Sequence, residues 1–188
     1  MFFGSKTPIK KDKYFINLGD SHAASYNLPI ESSYPYLIAK KLDLGYVDFA
    51  YSRTSIEYSD YALNTVDFTK AEFVLWQLAY PWRKHNWNTQ DIQKAREDNI
   101  KSLTLKESFK IFAKVISKYK DSNVFFIFIN QEYTTRYLKQ LVKLNDKVFS
   151  ENIEFIDFGF DEKHGGVNSQ KLIANKMCEF LIKYDKKN

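Results

Sequence analysis

A serine near the start of the chain, and an aspartate and a histidine near its end, are the residue types that nucleophilic catalysis needs. Ser21 stands in a Gly-Asp-Ser-His run, and Asp161 precedes His164 by three positions. A hydroxyl is a poor nucleophile at neutral pH unless an imidazole accepts its proton, and the imidazole works best when a carboxylate fixes its tautomer. The order serine, aspartate, histidine therefore predicts a triad of Ser21, His164 and Asp161.

Both motifs also have a purely structural interpretation. Ser21 would then cap the helix after the first strand, and Asp161 would cap the C-terminal helix, with His164 in an exposed loop. Capping alone does not call for a histidine, which favours the catalytic interpretation. We expect the other two histidines, His22 and His85, at surface or packing positions. The histidines do not cluster with carboxylates at metal-ligand spacing, so we predict no metal and no cofactor.

The elements that must position these residues alternate between strand-like and helix-like runs. This alternation is typical of an α/β fold in which helices cover both faces of a parallel sheet. The long apolar run at 124–129 fits a central strand buried on both faces. The predicted strands are 13–18, 45–50, 72–78, 123–129 and 153–158. The predicted helical stretches are 30–42, 55–64, 88–119 (divided near Ser102 to Thr104), 132–145 and a last helix after Gly165-Gly166.

Open parallel sheets bind ligands outside the carboxyl ends of their strands. Ser21 follows the first predicted strand, Arg53 the second and the segment 81–88 the third, while Asp161 and His164 follow the fifth. All of these residues are therefore expected at one rim of the sheet.

Composition limits the classes of protein that the chain can belong to. With 188 residues, 44% hydrophobic residues and few glycines and prolines, we predict a single folded domain over 1–188. The lone cysteine, Cys178, excludes an internal disulfide. No apolar run approaches the roughly 18 residues that span a bilayer, and the first residues do not form a secretory signal. We expect no membrane span, with the cytoplasm as the default location.

The formal charge of +5 comes from lysines spread along the chain. Lys106, Lys110, Lys114 and Lys118 recur every four residues and would share one helical face. A solvated face is the favoured interpretation, and a track for an anionic polymer is the alternative. Because no stacking or groove-reading element accompanies the stripe, we predict no nucleic-acid partner.

The Gly-Asp-Ser-His run after the first strand, together with Asp161-x-x-His164 before the last helix, resembles the SGNH (GDSL-type) hydrolases over nearly the whole chain. The resemblance implies a three-layer α/β/α sandwich around a flavodoxin-like, five-stranded parallel sheet. It also implies that Ser21 is the nucleophile, that His164 is the general base and then the acid, and that Asp161 orients His164.

The chain departs from the family pattern at two donors of the oxyanion hole. The family uses the N–H of the nucleophile, a glycine N–H after the second strand and an asparagine side chain after the third. Here Arg53 occupies the glycine position and Pro81, which has no N–H, stands near the asparagine position. Either Arg83 or Asn86 supplies the missing donor, or catalysis is weak or absent.

Large rings stand beside the predicted nucleophile at Tyr80, Trp82 and Trp87. Such rings stack on sugar faces, or they simply close the edge of the core. Because many family members remove acyl groups from carbohydrates, the resemblance implies a serine esterase acting on an acylated small molecule or glycan, such as an O-acetyl ester. The alternative is a weak or inactive module that binds glycans or joins protein partners in a larger assembly.

Overall fold

The computed structural model describes residues 6–24, 28–51, 54–81, 104–131 and 134–186. Within these ranges one sheet contains six strands. They are β1 (Lys6–Ile9), β2 (Tyr14–Leu18), β3 (Gly45–Asp48), β4 (Val74–Gln77), β5 (Val124–Ile129) and β6 (Val148–Ile153). Their order across the sheet is β1-β3-β2-β4-β5-β6. All neighbours run parallel except β1, which pairs antiparallel with β3.

The parallel part of this sheet, β3-β2-β4-β5-β6, has the flavodoxin-like strand order. The predicted α/β fold is therefore confirmed. The sequence did not predict β1, whose composition of lysine, threonine, proline and isoleucine is typical of an edge strand and carries little hydrophobic signal.

The predicted position of the last strand was wrong. It was placed at 153–158, but β6 spans Val148–Ile153 and the chain then leaves the sheet. As an edge strand β6 exposes Ser150 and Glu151, so its apolar signal is weak. The alternation of apolar and polar residues at 153–158 belongs to the loop that follows it.

Five α-helices are present in the described ranges: α1 (Tyr34–Leu42), α2 (Ile56–Asn64), α3 (Leu105–Lys118), α4 (Thr135–Leu144) and α5 (Val167–Asp185). The start of α3 is fixed by a capping box: the Thr104 N–H donates to Glu107 Oε2 at 2.8 Å, and the Glu107 N–H donates to Thr104 Oγ1 at 3.3 Å. The first part of the predicted stretch 88–119, up to residue 103, lies outside the described residues.

Alternate residues of each strand point to opposite sides of the sheet, so both faces carry side chains that need cover. A layer of helices packs on each face. In β5 every residue is buried. Phe126 and Phe128 pack with α2, α3 and α4, whereas Phe125 and Ile127 pack with α1 and α5. Each large apolar side chain buried in this way contributes about 1.5–3 kcal/mol.

The lysine stripe lies on the solvent side of α3. Lys106, Lys110 and Lys114 are exposed, and Lys118 Nζ donates to the Asp60 carboxylate at 2.7 Å. Phe112 and Ile116 of the same helix are fully buried. This arrangement favours the solvated-face interpretation. In the part of the chain that the structure describes, no helix has the length and apolarity to cross a membrane.

Candidate active site

The segment that carries Ser21 bends sharply where β2 ends. Gly19 has φ +148°, and a Cβ on it would lie 2.7 Å from Gln77 Oε1 and 2.9 Å from the Gln77 carbonyl oxygen. Only glycine fits this bend. The Asp20 carbonyl then accepts hydrogen bonds from the N–H groups of Ala23 and Ala24, at 3.1 and 2.9 Å. Ser21 thus stands at the start of a tight turn and is 4% exposed.

The N–H groups of the residues before and after Ser21 are both held by hydrogen bonds. The Asp20 N–H donates to Gln77 Oε1 at 3.0 Å, and the His22 N–H donates to Asp20 Oδ1 at 2.9 Å. Asp20 and Gln77 are both fully buried. Groups fixed before reaction need no reorganisation during it, so this turn is suited to hold a reacting serine.

More buried polar side chains lie below the turn, at the carboxyl ends of neighbouring strands. Asn17 Nδ2 donates to Asp48 Oδ1 at 2.9 Å, and Gln131 Nε2 donates to the Leu78 carbonyl at 2.5 Å. Thr54 Oγ1 donates to the Gly19 carbonyl at 2.9 Å. These bonds tie the ends of β2, β3, β4 and β5 into one polar layer beneath Ser21.

The loop that carries Asp161 and His164 is closed on itself. Phe158 and Gly165 form an isolated antiparallel bridge, and the Gly159 N–H donates to the His164 carbonyl at 2.7 Å. Glu162 has φ +55°, in the left-handed region that tight turns require. The loop therefore presents its two candidate catalytic side chains from a compact turn.

The base of this loop is attached to α5 through Asp157. Its carboxylate accepts the N–H groups of Asn168 and Ser169, at 3.0 and 2.6 Å, and the Ser169 hydroxyl at 2.5 Å. Partial burial would raise the pKa of Asp157, but these hydrogen bonds outweigh it and lower the pKa below its usual value. Asp157, and not Asp161, satisfies the first N–H groups of α5, so the capping interpretation of Asp161 loses its support.

Asp161 and His164 form a close pair. Asp161 Oδ2 lies 2.5 Å from His164 Nδ1, and Asp161 Oδ1 accepts the N–H groups of Lys163 and His164 at 3.1 Å each. Desolvation would raise the pKa of Asp161, but the bonds from the His164 ring and from the two N–H groups hold it far below the usual range. A carboxylate that is ionised at neutral pH thus accepts from Nδ1, which leaves Nε2 to accept a proton.

The two distant motifs meet at one rim of the sheet. The ring of His22, the residue after Ser21, lies 5.2 Å from the ring of His164, centroid to centroid. The turn at the end of β2 and the loop before α5 are therefore in contact, as the carboxyl-end argument predicts. The roles of Ser21, Asp161 and His164 stay a prediction.

Comparisons with known proteins agree with this architecture. No family model and no curated protein matches the sequence. Among solved structures, the psychrotrophic esterase EstA from Pseudoalteromonas sp. aligns at 15% identity and a TM-score of 0.58, covering 93% of this chain and 100% of that one. A putative lipolytic protein of the G-D-S-L family from Desulfitobacterium hafniense aligns at 11% identity and 0.59, covering 89% and 99%. The chain shares the α/β fold of these proteins.

A third similar structure is that of an acetylxylan esterase. Axe2, an acetylxylan esterase from Geobacillus stearothermophilus, aligns at 13% identity and a TM-score of 0.51, covering 89% of this chain and 93% of that one. At such identities the likeness concerns the fold. The sequence resemblance to this type of hydrolase is confirmed at that level.

Of the residues predicted to bind substrate or oxyanion in this GDSL-type fold, Tyr80 is described and half-buried. Its hydroxyl donates to the Asn130 carbonyl at 3.0 Å, and its ring lies 6.3 Å from the His22 ring. Pro81 is buried. The other residues of this prediction lie outside the described residues: Arg53, Trp82, Arg83, Asn86 and Trp87. His85, predicted at a surface or packing position, also lies outside them.

His22 occupies a packing position, one of the two that sequence reasoning expected, but its contact with His164 was not foreseen. It is 7% exposed, and its ring contacts the rings of Phe155, Tyr80 and His164. Its position directly after the serine was the available signal. Within the described part of the chain, no group of three or more histidine, cysteine, aspartate or glutamate side chains is arranged to hold a metal ion.

Proposed function

We propose that the chain is a serine esterase in which Ser21 attacks the carbonyl carbon of an acyl ester. The observation that carries this proposal is the Asp161–His164 pair, joined at 2.5 Å and packed against the residue that follows Ser21. A carboxylate, an imidazole and a serine are the parts of a triad, and the contact between His22 and His164 brings the two motifs that carry them together.

In the proposed reaction, His164 Nε2 accepts the Ser21 proton as Oγ bonds to the carbonyl carbon. The tetrahedral intermediate collapses, the alcohol leaves with the proton from His164, and an acyl-enzyme remains on Ser21. Water then repeats the sequence: it gives a proton to His164, attacks the acyl carbon and releases the acid and free Ser21. Asp161 stabilises the imidazolium in both steps.

The oxyanion needs donors at the rim, and the Ser21 N–H is the one that the turn itself provides. Pro81 is buried where the family resemblance expects an asparagine, and it has neither an N–H nor a polar side chain. We therefore propose that the side chain of Arg83 or Asn86 supplies a second donor. The backbone N–H of Arg53 is proposed to supply a third. Losing one such donor costs an esterase about a hundredfold in rate, so the assignment is testable.

The proposed substrate is an acyl ester on a carbohydrate, such as an O-acetyl group. Two observations support it: the half-buried Tyr80 ring stands beside His22, and the acetylxylan esterase Axe2 shares the fold. Trp82 and Trp87 are proposed to add to this sugar-binding surface.

The first test is hydrolysis of p-nitrophenyl acetate and of acetylated xylan by the purified protein. Ser21→Ala should abolish release of nitrophenol and of acetate, and it should also abolish covalent labelling by a phosphonate probe, read by intact mass. Ser117→Ala, on the exposed side of α3, is the matched control and should behave as the parent. Turnover in Ser21→Ala equal to that of the parent would exclude the proposed nucleophile.

A second candidate function is a glycan-binding module with little or no catalysis. The buried Pro81 at the asparagine position favours it, because a poor oxyanion hole leaves a fold that binds without turning over. In that case calorimetry with deacetylated xylan should give the same affinity for the parent and for Ser21→Ala, with no acetate released by either. Release of acetate by the parent alone would exclude this candidate.

A further inference from the structure

We propose that His22 is a positioning residue, whose ring braces the His164 imidazole in the geometry that proton transfer requires. The inference builds on the proposed esterase function and adds a second imidazole to its site. His22 does not touch the reacting atoms in this account. It acts through His164.

The backbone and side chain of His22 are both fixed. Its N–H donates to Asp20 Oδ1 at 2.9 Å, and Asp20 is fully buried. Its ring meets that of Phe155 edge-on at a centroid distance of 5.2 Å and that of Tyr80 at 6.3 Å. The ring is therefore held from several sides and can serve as a rigid surface.

Phe155 connects this surface back to the loop that carries His164. A Cβ on Gly165 would lie 2.6 Å from two atoms of the Phe155 ring, so this ring presses against the backbone of the residue after His164. The Phe158 ring meets Phe155 edge-on at 6.0 Å on another side. The contacts therefore form a closed ring beside the His164 imidazole, which runs through His22, Phe155 and Gly165.

The Asp161 carboxylate alone does not fix the His164 ring. A hydrogen bond to Nδ1 sets one corner of the imidazole, but the ring can still tilt about that corner and carry Nε2 away from Ser21. The His22 ring, tilted by 55° at 5.2 Å, removes this freedom.

The competing explanation is that the His22 side chain only fills space in the core. Substitutions that keep or remove a flat ring at this position distinguish the two explanations. His22→Phe keeps a flat ring, His22→Leu keeps apolar volume without one, and His22→Ala removes both. If His22 only fills space, leucine should serve as well as phenylalanine. If it braces an imidazole, only the ring should.

The first experiment reads the Asp161–His164 bond without any substrate. One-dimensional proton NMR of the parent should show a low-field exchangeable resonance from His164 Nδ1–H, identified by its loss in Asp161→Asn. His22→Phe should retain it, whereas His22→Leu and His22→Ala should broaden or lose it by exchange with water. A resonance that is unchanged in His22→Ala would overturn the proposal.

A matched control separates this effect from a general loss of stability. Phe180 of α5 packs edge-on against Phe125 at 5.8 Å and against Phe149 at 5.3 Å, far from the rim. Phe180→Ala should lower the melting temperature but leave the low-field resonance intact. Loss of the resonance in this variant as well would assign the effect in His22→Ala to loosening of the fold and overturn the proposal.

The second experiment uses turnover of p-nitrophenyl acetate. His22→Leu should lower kcat by about 10–100-fold with KM little changed, since a misplaced base slows the chemical step, while His22→Phe should stay within about 3-fold of the parent. Equal losses in both variants would overturn the proposal. A parent that shows no turnover but whose resonance responds as predicted would keep the positioning contact and reject the esterase assignment.

Discussion

The turn that carries Ser21 and the loop that carries His164 are built in opposite ways. The turn is buried, and its hydrogen bonds reach Gln77 on β4 and Thr54 beyond β3. The loop projects from the edge of the sheet, is closed by its own bonds, and exposes Phe158 and Phe160 at 58% and 99%. The proposed nucleophile therefore belongs to the core of the sheet, and its proposed base belongs to a peripheral loop. Changes in the two regions should have different consequences.

Within the loop, the largest effect on activity should come from Asp161. Asp161→Asn removes the charge that stabilises the imidazolium and permits the wrong tautomer of His164, so kcat should fall by about 10³–10⁴-fold. The melting temperature at neutral pH should fall modestly, because the ionised Asp161 also accepts the N–H groups of Lys163 and His164. A fall below about tenfold in the hydrolysis of p-nitrophenyl acetate would contradict the assigned role.

The largest effect on stability should come from the turn. Gly19→Ala would force a Cβ to within 2.9 Å of the Gln77 carbonyl at φ +148°, and we expect a loss of about 3 kcal/mol or more in the free energy of unfolding.

Gly159→Ala in the loop is the matched control, since its Cβ would meet the His164 carbonyl at an ordinary 3.5 Å. It should cost less than about 1 kcal/mol. Urea unfolding of the two variants measures the comparison directly. Similar losses in both would show that the two regions are not built differently.

An intermediate effect is expected from the bond that attaches the loop to α5. Asp157→Asn weakens charged hydrogen bonds to Ser169 and to the first N–H groups of the helix. The free energy of unfolding in urea should therefore fall by about 1–2 kcal/mol. Activity should fall as well, since the loop loses its anchor. If this variant melts and hydrolyses ester as the parent does, the loop is held by other contacts.

Acid should destabilise the protein through the loop that carries His164. Asp157 and Asp161 both have a lowered pKa in the folded protein, so protonation favours the unfolded chain. Their contribution to the free energy of unfolding is complete above the ordinary aspartate pKa of about 4. It is lost progressively as the pH falls below that value. Unfolding free energies measured from pH 6 down to pH 3 should decline, and more gently in Asp157→Asn. Parallel curves would exclude this linkage.

The smallest effect should come from the tip of the loop. Phe160→Ser changes a side chain that is 99% exposed, so unfolding should shift by less than about 0.5 kcal/mol. Dye binding to exposed apolar surface should fall measurably.

The meeting of the two motifs could be predicted from sequence more readily than the groups that support them. Ser21, Asp161 and His164 stand in short motifs after strands, which predicts that they lie at one rim, and the apolar run of β5 predicts a buried central strand. Their catalytic roles stay a prediction. The packing of His22 against His164 joins residues that are far apart in the chain, and no local pattern reports it. The same holds for Gln77, which appears in sequence as an ordinary polar residue at the end of a strand.

Edge strands were the weak point of the fold prediction, for a physical reason. A strand with one neighbour buries less of its surface, so neither β1 nor β6 needs an apolar pattern, and β6 carries Ser150 and Glu151 facing solvent. The more regular alternation of apolar residues at 153–158 belongs to a loop whose Ile156 and Phe158 are exposed.

The two borders of the sheet bear on how the protein behaves at high concentration. Along one border runs β1, a short strand whose proline has no N–H to donate to an incoming chain. Along the other, Glu151 of β6 is paired with Lys176, which places charge on this border. Both features discourage a second molecule from extending the sheet into a fibre. We expect any self-association through the apolar loop tip to be reversible and to produce no amyloid.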